Sequence, residues 1–243
     1  VNPYAGLGGS VALKGSDGVQ TRDEALRRGA EPQAPGRMSR ALKALSAATK
    51  VSVLTWGADM GENSCLSANV PCTVIGESPM PSSPDDTRAA AAALKAAGAE
   101  LILFAGGDGT ARDMVDAIGL GTPVLGVPAG CKMHSAVYAV NPEAAGSLLA
   151  ELAGGGLVAL ESAEVRDIDE AAFREGVVKA RHYGELQVPA EARYLQQVKC
   201  GGREVEDLVI TEVAAWVADS LEDDTWYLMG SGSTVAVVME QLG

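Results

Sequence analysis

Gly106-Gly107-Asp108-Gly109-Thr110 places three glycines, one carboxylate and one hydroxyl within five residues. Glycines let a backbone approach an anion closely. A helix that starts just after them offers free N–H groups and the positive end of its dipole. Asp108 then stands where a carboxylate can face either the magnesium of a bound phosphate or the hydroxyl of a substrate. The plainer reading is a tight strand-to-helix turn, because Asp-Gly is ordinary turn chemistry. No Gly-Lys-Ser or Gly-Lys-Thr occurs, which argues against a P-loop nucleotidase.

Three further segments carry similar chemistry. Asn2-Pro3-Tyr4-Ala5-Gly6-Leu7-Gly8-Gly9-Ser10 reads as a glycine-rich strand exit, nucleotide cradle or flexible connection, with Asn2 and Gly6 as its candidate contacts. Pro128-Ala129-Gly130-Cys131-Lys132-Met133-His134-Ser135 follows an apolar run, so Lys132, His134 and Ser135 are either ligand groups at a sheet edge or simply exposed. Gly230-Ser231-Gly232-Ser233-Thr234 lies between an expected strand, Trp226 to Met229, and an expected helix, Val235 to Leu242. That order is an anion-binding geometry, with Gly230, Gly232, Ser233 and Thr234 as phosphate contacts, or else a plain turn.

The elements that must position these loops alternate in type. Met38 to Thr49 is helix-like, with Leu42 and Leu45 on one face. Val51-Ser52-Val53-Leu54 and Cys72-Thr73-Val74-Ile75 read as strands, the first of them buried. Pro84-Asp85-Asp86-Thr87 starts a helix that continues through the alanines to Ala97 and stops at Gly98. Leu101 to Ala105 is a continuous apolar strand, Ala111 to Ile118 a helix, and Pro123 to Val127 another strand. Repeated strand-loop-helix units predict a parallel, doubly wound α/β sheet, with ligands beyond the carboxyl ends of its strands. A boundary is expected near Gly154-Gly155-Gly156, dividing the chain into 1–155 and 156–243. The second part is rich in β-branched residues over Val177 to Val188 and Val205 to Val217, which predicts a mixed, β-rich region.

Composition narrows the function classes. The 243 residues carry 19 Lys and Arg against 32 Asp and Glu, a formal net charge of -13. Nucleic-acid binding normally needs a basic footprint, so that partner is not expected. No apolar run reaches the roughly 18 residues that span a bilayer, and no secretory signal is visible. Four cysteines without CxxC spacing and two histidines argue against a zinc ribbon and fit reduced, cytoplasmic thiols. The 29 glycines exceed the average usage of about 7% and fall in clusters, as ligand-facing loops do. The chain opens without methionine and closes on Leu242-Gly243, so it is expected to be cut at both ends. The face made by Val235, Val238 and Leu242 is then left without a covering strand, which favours local fraying or self-association, the latter giving the expected homo-oligomer.

Taken together, Asn2-Pro3-Tyr4-Ala5-Gly6, Gly106-Gly107-Asp108-Gly109-Thr110 and Lys132-Met133-His134-Ser135-Ala136-Val137 resemble the ATP-NAD kinase superfamily. With Ala163-Glu164-Val165-Arg166-Asp167-Ile168-Asp169-Glu170 they resemble its ATP-NAD/AcoX-like branch. The resemblance implies a Rossmann-like N-terminal domain of the NAD kinase and diacylglycerol kinase type, with a second domain closing over the nucleotide. In NAD kinases the aspartate of Gly-Gly-Asp-Gly engages the ribose 2′-hydroxyl, a role that falls here on Asp108. Gly106, Gly107 and Gly109 would offer N–H groups to phosphate oxygens, and Thr110 a hydroxyl. The chain departs from the family in two places. The Asn-Glu motif of ordinary NAD kinases has no clear copy, and Glu164, Asp167, Asp169 and Glu170 occupy that stretch. These acids either hold magnesium or a ribose, or Asp169 caps a helix from Glu170 to Glu175 and the others are solvated. Ser231 also stands where the family's loop usually has proline.

The expected activity is magnesium-dependent phosphoryl transfer from ATP or polyphosphate to a small-molecule hydroxyl, with NAD as acceptor. The alternatives are a kinase of the same fold acting on a lipid or another metabolite, and a regulatory nucleotide-binding module without catalysis. The metal ligands are unassigned.

Overall fold

The computed structural model describes residues 1–11, 13, 19–45, 51–130, 133–156, 158–168, 180–190, 194–195, 214, 217, 221, 225–230 and 232–242. The chain forms two compact units, Val1–Val198 and Lys199–Gly243.

In the first unit the chemistry-bearing loops rest on two strands, β3 (Ile102–Gly106) and β4 (Val124–Pro128). Two shorter strands precede them, β1 (Leu54–Thr55) and β2 (Thr73–Val74). Both β1–β2 and β3–β4 are parallel, and the longer pair runs in register from Ile102 opposite Val124 to Gly106 opposite Pro128. Every residue of β4 is buried, which is why its sequence is a continuous apolar run rather than an alternating one. Parallel neighbours need a crossover, here α5 (Asp108–Ile118). The α/β reading therefore holds, although the described strands form small pairs rather than one broad sheet.

Local signals set the helix ends. In α4 (Pro84–Ala96), the Ser83 side chain accepts from the Asp86 N–H while Asp86 reaches back to the Ser83 N–H, a reciprocal capping box. The remaining helices before the fifth strand are α1 (Val19–Arg27), α2 (Ala34–Leu42), α3 (Glu62–Ala68) and α6 (Pro142–Ala153). Asn141 caps α6 by accepting from the Ala144 N–H at 2.8 Å. Arg88 of α4 bonds the buried Asp113 of α5 and the exposed Asp85, tying the two helices together.

A long antiparallel hairpin follows, β5 (Leu160–Ile168) with β6 (Ala180–Pro189). Its Val165, Leu186 and Val188 are fully buried and join the core of Val124, Leu125, Val127, Met114, Tyr138 and Leu148. The β character expected over Val177 to Val188 appears from Ala180 onward as β6, inside the first unit, and residues 177–179 lie outside the described residues.

Three expectations about elements change. The helix expected from Met38 begins earlier, at Ala34, because Pro35 sits in its first turn where a fixed φ and a missing N–H do no harm. The strand expected from Val51 starts only at Leu54, and Val51 is exposed. In the second unit, Trp226 to Met229 is not a strand: Trp226 and Leu228 are fully exposed, and an apolar run makes a strand only when a ladder partner exists. The helix after it is present as α7 (Ser233–Leu242). Its Val238 is buried, so the apolar face expected to be open is partly covered. Asp169, Glu170 to Glu175 and most of Val205 to Val217 lie outside the described residues. Among the described residues, no helix is long and apolar enough to cross a membrane.

Candidate active site

Because β3 and β4 are parallel neighbours, their carboxyl ends lie side by side, and the pairing continues one step further where the Ala129 N–H donates to the Gly106 carbonyl at 2.9 Å. From that edge one loop enters α5 and the other turns back through residues 133–139. The returning segment runs beside β4, with the Gly126 N–H donating to the Val137 carbonyl and the Ala139 N–H to the Gly126 carbonyl. The first loop of the chain arrives at the same edge, where the Asn2 N–H donates to the Ala105 carbonyl at 2.9 Å. Three loops far apart in sequence thus meet at one place.

Asp108 is the first residue of α5, yet its carboxylate turns away from its own helix. Oδ1 accepts from the Ser135 N–H at 3.0 Å, and Oδ2 accepts from the His134 N–H at 2.9 Å. The His134 ring follows its own backbone, with Nδ1 3.2 Å from Oδ2. The Asp108 side chain is 9% exposed and that of His134 27%. The carboxylate is therefore fixed in place, and the imidazole is the more open of the two.

Asn2 and Thr110 hold each other. Asn2 Nδ2 donates to Thr110 Oγ1 at 3.0 Å, while Asn2 Oδ1 accepts from the Tyr4 N–H at 3.2 Å. Thr110 is buried, and its hydroxyl fastens the first loop to the start of α5. Gly6 has φ +73°, and a Cβ there would run into the Ala129 carbonyl oxygen, so only glycine lets these two loops lie so close. Gly107 differs: its φ of -122° is ordinary extended backbone, and a Cβ would meet only the Gly130 Cα at 3.9 Å. Gly106 ends β3, and Gly109 lies in the first turn of α5. Ser135 is buried, with Oγ accepting from the Arg166 N–H at 3.0 Å, which ties the 133–139 segment to β5.

Two residues without a motif also support the site. The Tyr138 hydroxyl donates to the Gly107 carbonyl at 2.6 Å. Burial, with the negative charge of Asp108 nearby, pushes the Tyr138 phenol well above its ordinary range, so it stays protonated. Arg37 of α2 donates from its guanidinium to the Pro128 carbonyl at 2.9 Å, at the end of β4. Neither role has a local sequence signal, because each depends on a contact between distant elements.

Lys132 lies outside the described residues. Gly230, Gly232, Ser233 and Thr234 belong to the second unit, where the Gly232 carbonyl accepts from the Ala236 N–H at the start of α7. Glu164 is exposed and bonds the Arg166 guanidinium at 2.9 Å.

The family model of the ATP-NAD kinase N-terminal domain matches residues 2–157. The chain belongs to the ATP-NAD kinase family. No curated protein and no solved structure matches it. The matched stretch contains all three converging loops, and so the NAD kinase domain carries Asn2, Gly6, Asp108, His134 and Ser135 together. A kinase-type phosphotransferase is the activity that this family implies. Among the described residues no group of three or more His, Cys, Asp or Glu could hold a metal ion.

Proposed function

We propose that the protein transfers the terminal phosphoryl group of ATP, or of polyphosphate, to the adenosine ribose 2′-hydroxyl of NAD, as a member of the AcoX-like branch working in the cytoplasm. The observation that carries this reading is the Asp108 carboxylate, held by the Ser135 and His134 N–H groups at the joint carboxyl ends of two parallel strands. Phosphoryl transfer asks a protein mainly for positioning and charge stabilisation, together with a group that draws off the hydroxyl proton. The uncapped start of α5 supplies N–H groups and a positive dipole for phosphate oxygens, and Asp108 supplies the negative charge that attracts the proton. Magnesium, carried by the triphosphate, neutralises phosphate charge. The branch assignment is supported by Met133-His134-Ser135-Ala136-Val137 and the acidic stretch from Glu164 to Glu170.

The test is incubation with magnesium-ATP or polyphosphate and a panel of acceptors: NAD, a diacylglycerol and small hydroxylated metabolites. Formation of NADP that stops on chelation of the metal is the expected result. Phosphorylation of another acceptor would reassign the substrate. Nucleotide binding without any transfer would leave a regulatory module.

A further inference from the structure

On the phosphotransferase reading above, we propose that Arg37 is a phosphate-binding cation of this site, its guanidinium taking a phosphate group of the bound nucleotide. Arg37 belongs to α2 and to none of the glycine-rich loops, yet it is fastened where they meet. One peptide unit at the end of β4 is gripped from both sides. The Ala129 N–H donates to the Gly106 carbonyl at 2.9 Å, and the Pro128 carbonyl accepts from Arg37 Nη1 at 2.9 Å. In a trans peptide the N–H and the carbonyl point in opposite directions, so Arg37 lies on the side of β4 away from β3. Residues 137–139 run on that same side, where the Val137 carbonyl accepts from the Gly126 N–H. The Pro128-Ala129-Gly130 run also lies against the other two loops. Gly6 backs on to the Ala129 carbonyl, and a Cβ on Gly107 would stand 3.9 Å from the Gly130 Cα.

The charge of Arg37 is as telling as its place. A guanidinium stays protonated, carries several N–H donors and matches phosphate oxygens in pairs. One N–H of Arg37 meets the Pro128 carbonyl, and among the described residues the rest of the group meets no carboxylate. Arg22, Arg27, Arg28, Arg40, Arg88 and Arg166 each pair with an aspartate or a glutamate. Arg166 reaches the site through its backbone, at Ser135, but its guanidinium is taken by Glu164 at 2.9 Å. In a chain with 32 acidic residues against 19 basic ones, a half-buried guanidinium without an acid beside it is left for an anion from outside the chain. Such a charge is also needed here. Asp108 puts a negative charge at this edge that by itself repels phosphate, and a fixed cation offsets it. The N–H groups at the start of α5 orient phosphate oxygens, and Arg37 neutralises them.

Arg37→Gln tests the assignment, because the amide can still donate to a carbonyl but carries no charge. Binding of ATP, of NAD and of adenosine, which has no phosphate, is measured by calorimetry at low and at moderate salt. In Arg37→Gln the affinity for ATP, for NAD or for both should fall about tenfold or more. Adenosine affinity should not change, and the melting temperature should stay close to wild type. The nucleotide binding that remains should depend less on salt. Arg37→Lys restores the charge without the planar fork and should recover part of the loss. A loss confined to ATP assigns the guanidinium to the donor's triphosphate, and a loss confined to NAD assigns it to the acceptor's pyrophosphate. Unchanged ATP and NAD affinities overturn the proposal. So does an equal loss for adenosine, which is what a merely structural tie to Pro128 would give. If the variants do not fold, modification of wild-type Arg37 by phenylglyoxal, read by mass spectrometry, decides. Protection of Arg37 by ATP or NAD but not by adenosine supports the site, and equal modification with and without nucleotide overturns it. Wild-type protein that binds neither ATP nor NAD overturns the phosphotransferase reading along with this site. Wild-type transfer with unchanged nucleotide binding in Arg37→Gln overturns this site alone.

Discussion

Two glycine-rich loops in this protein have nearly the same local recipe and very different surroundings. Residues 106–110 and 230–234 each combine glycines with a hydroxyl residue in the first turn of a helix. The first follows a buried strand, and a neighbouring loop supplies the N–H groups that fix its carboxylate. The second follows a segment whose Trp226 and Leu228 are fully exposed, and a Cβ on Gly230 or Gly232 would meet nothing within 4 Å. A helix start becomes a site when a second element brings chemistry to it. In the first unit that element is the segment leaving β4.

The largest effect expected from breaking this contrast is at Asp108. Asp108→Asn should lower turnover about a hundredfold or more. It should also cost roughly 1–3 kcal/mol of stability, because an amide presents an N–H group to one of the donors that the carboxylate now satisfies. Kinetics and thermal melts on the same preparation check both parts, and near-wild-type turnover would remove Asp108 from the site.

Next come the glycines of the two regions, compared directly. Gly6→Ala forces a left-handed alanine against a backbone carbonyl that cannot yield, so at least about 2 kcal/mol should be lost. Gly232→Ala meets open space and should stay within about 0.5 kcal/mol of wild type. Denaturant titrations measure both, and equal losses would mean that the two loops are not packed differently.

A smaller effect sharpens the ligand side of the comparison. Gly107→Ala fits the backbone and its neighbours, so the melting temperature should hold while nucleotide affinity weakens about tenfold. An unchanged affinity by calorimetry would return the loop to an ordinary turn.

The smallest concerns the helix that the first loop opens. Burial pushes the Asp113 carboxyl up to about 6, and Arg88 opposes the shift only in part. The folded state then binds this proton more tightly than the unfolded state. The contribution of Asp113 to stability is full below the ordinary aspartate value of 3.8 and is lost as pH rises through about 6. Glu24 and Glu143 act in the opposite sense, since hydrogen bonds from arginines lower them. The difference between wild type and Asp113→Asn isolates the effect. The melting temperature of wild type relative to the variant should fall from pH 4 to pH 7, and a constant difference would contradict it.

Local signals in this chain were strong wherever one short segment settles its own conformation. Ser83 to Asp86, with proline in the first turn and a carboxylate three residues after the cap, marks the start of α4 without help from the rest of the protein. The all-apolar run at Leu101 to Ala105 marks a strand buried on both faces, and Gly106 to Thr110 marks the loop that leaves it. The Trp226 to Met229 expectation failed for the converse reason, since a strand exists only through a partner that its own residues do not specify. The site follows the same division. Residue types and spacing were enough to single out Asn2, Asp108, His134 and Ser135. That Asp108 is held by the amides of residues 134 and 135, and that Tyr138 and Arg37 brace the carbonyls around it, were decided by tertiary structure. Parallel strands place side by side loops that are more than twenty residues apart, and the hydrogen bonds between those loops depend on that register rather than on either segment alone.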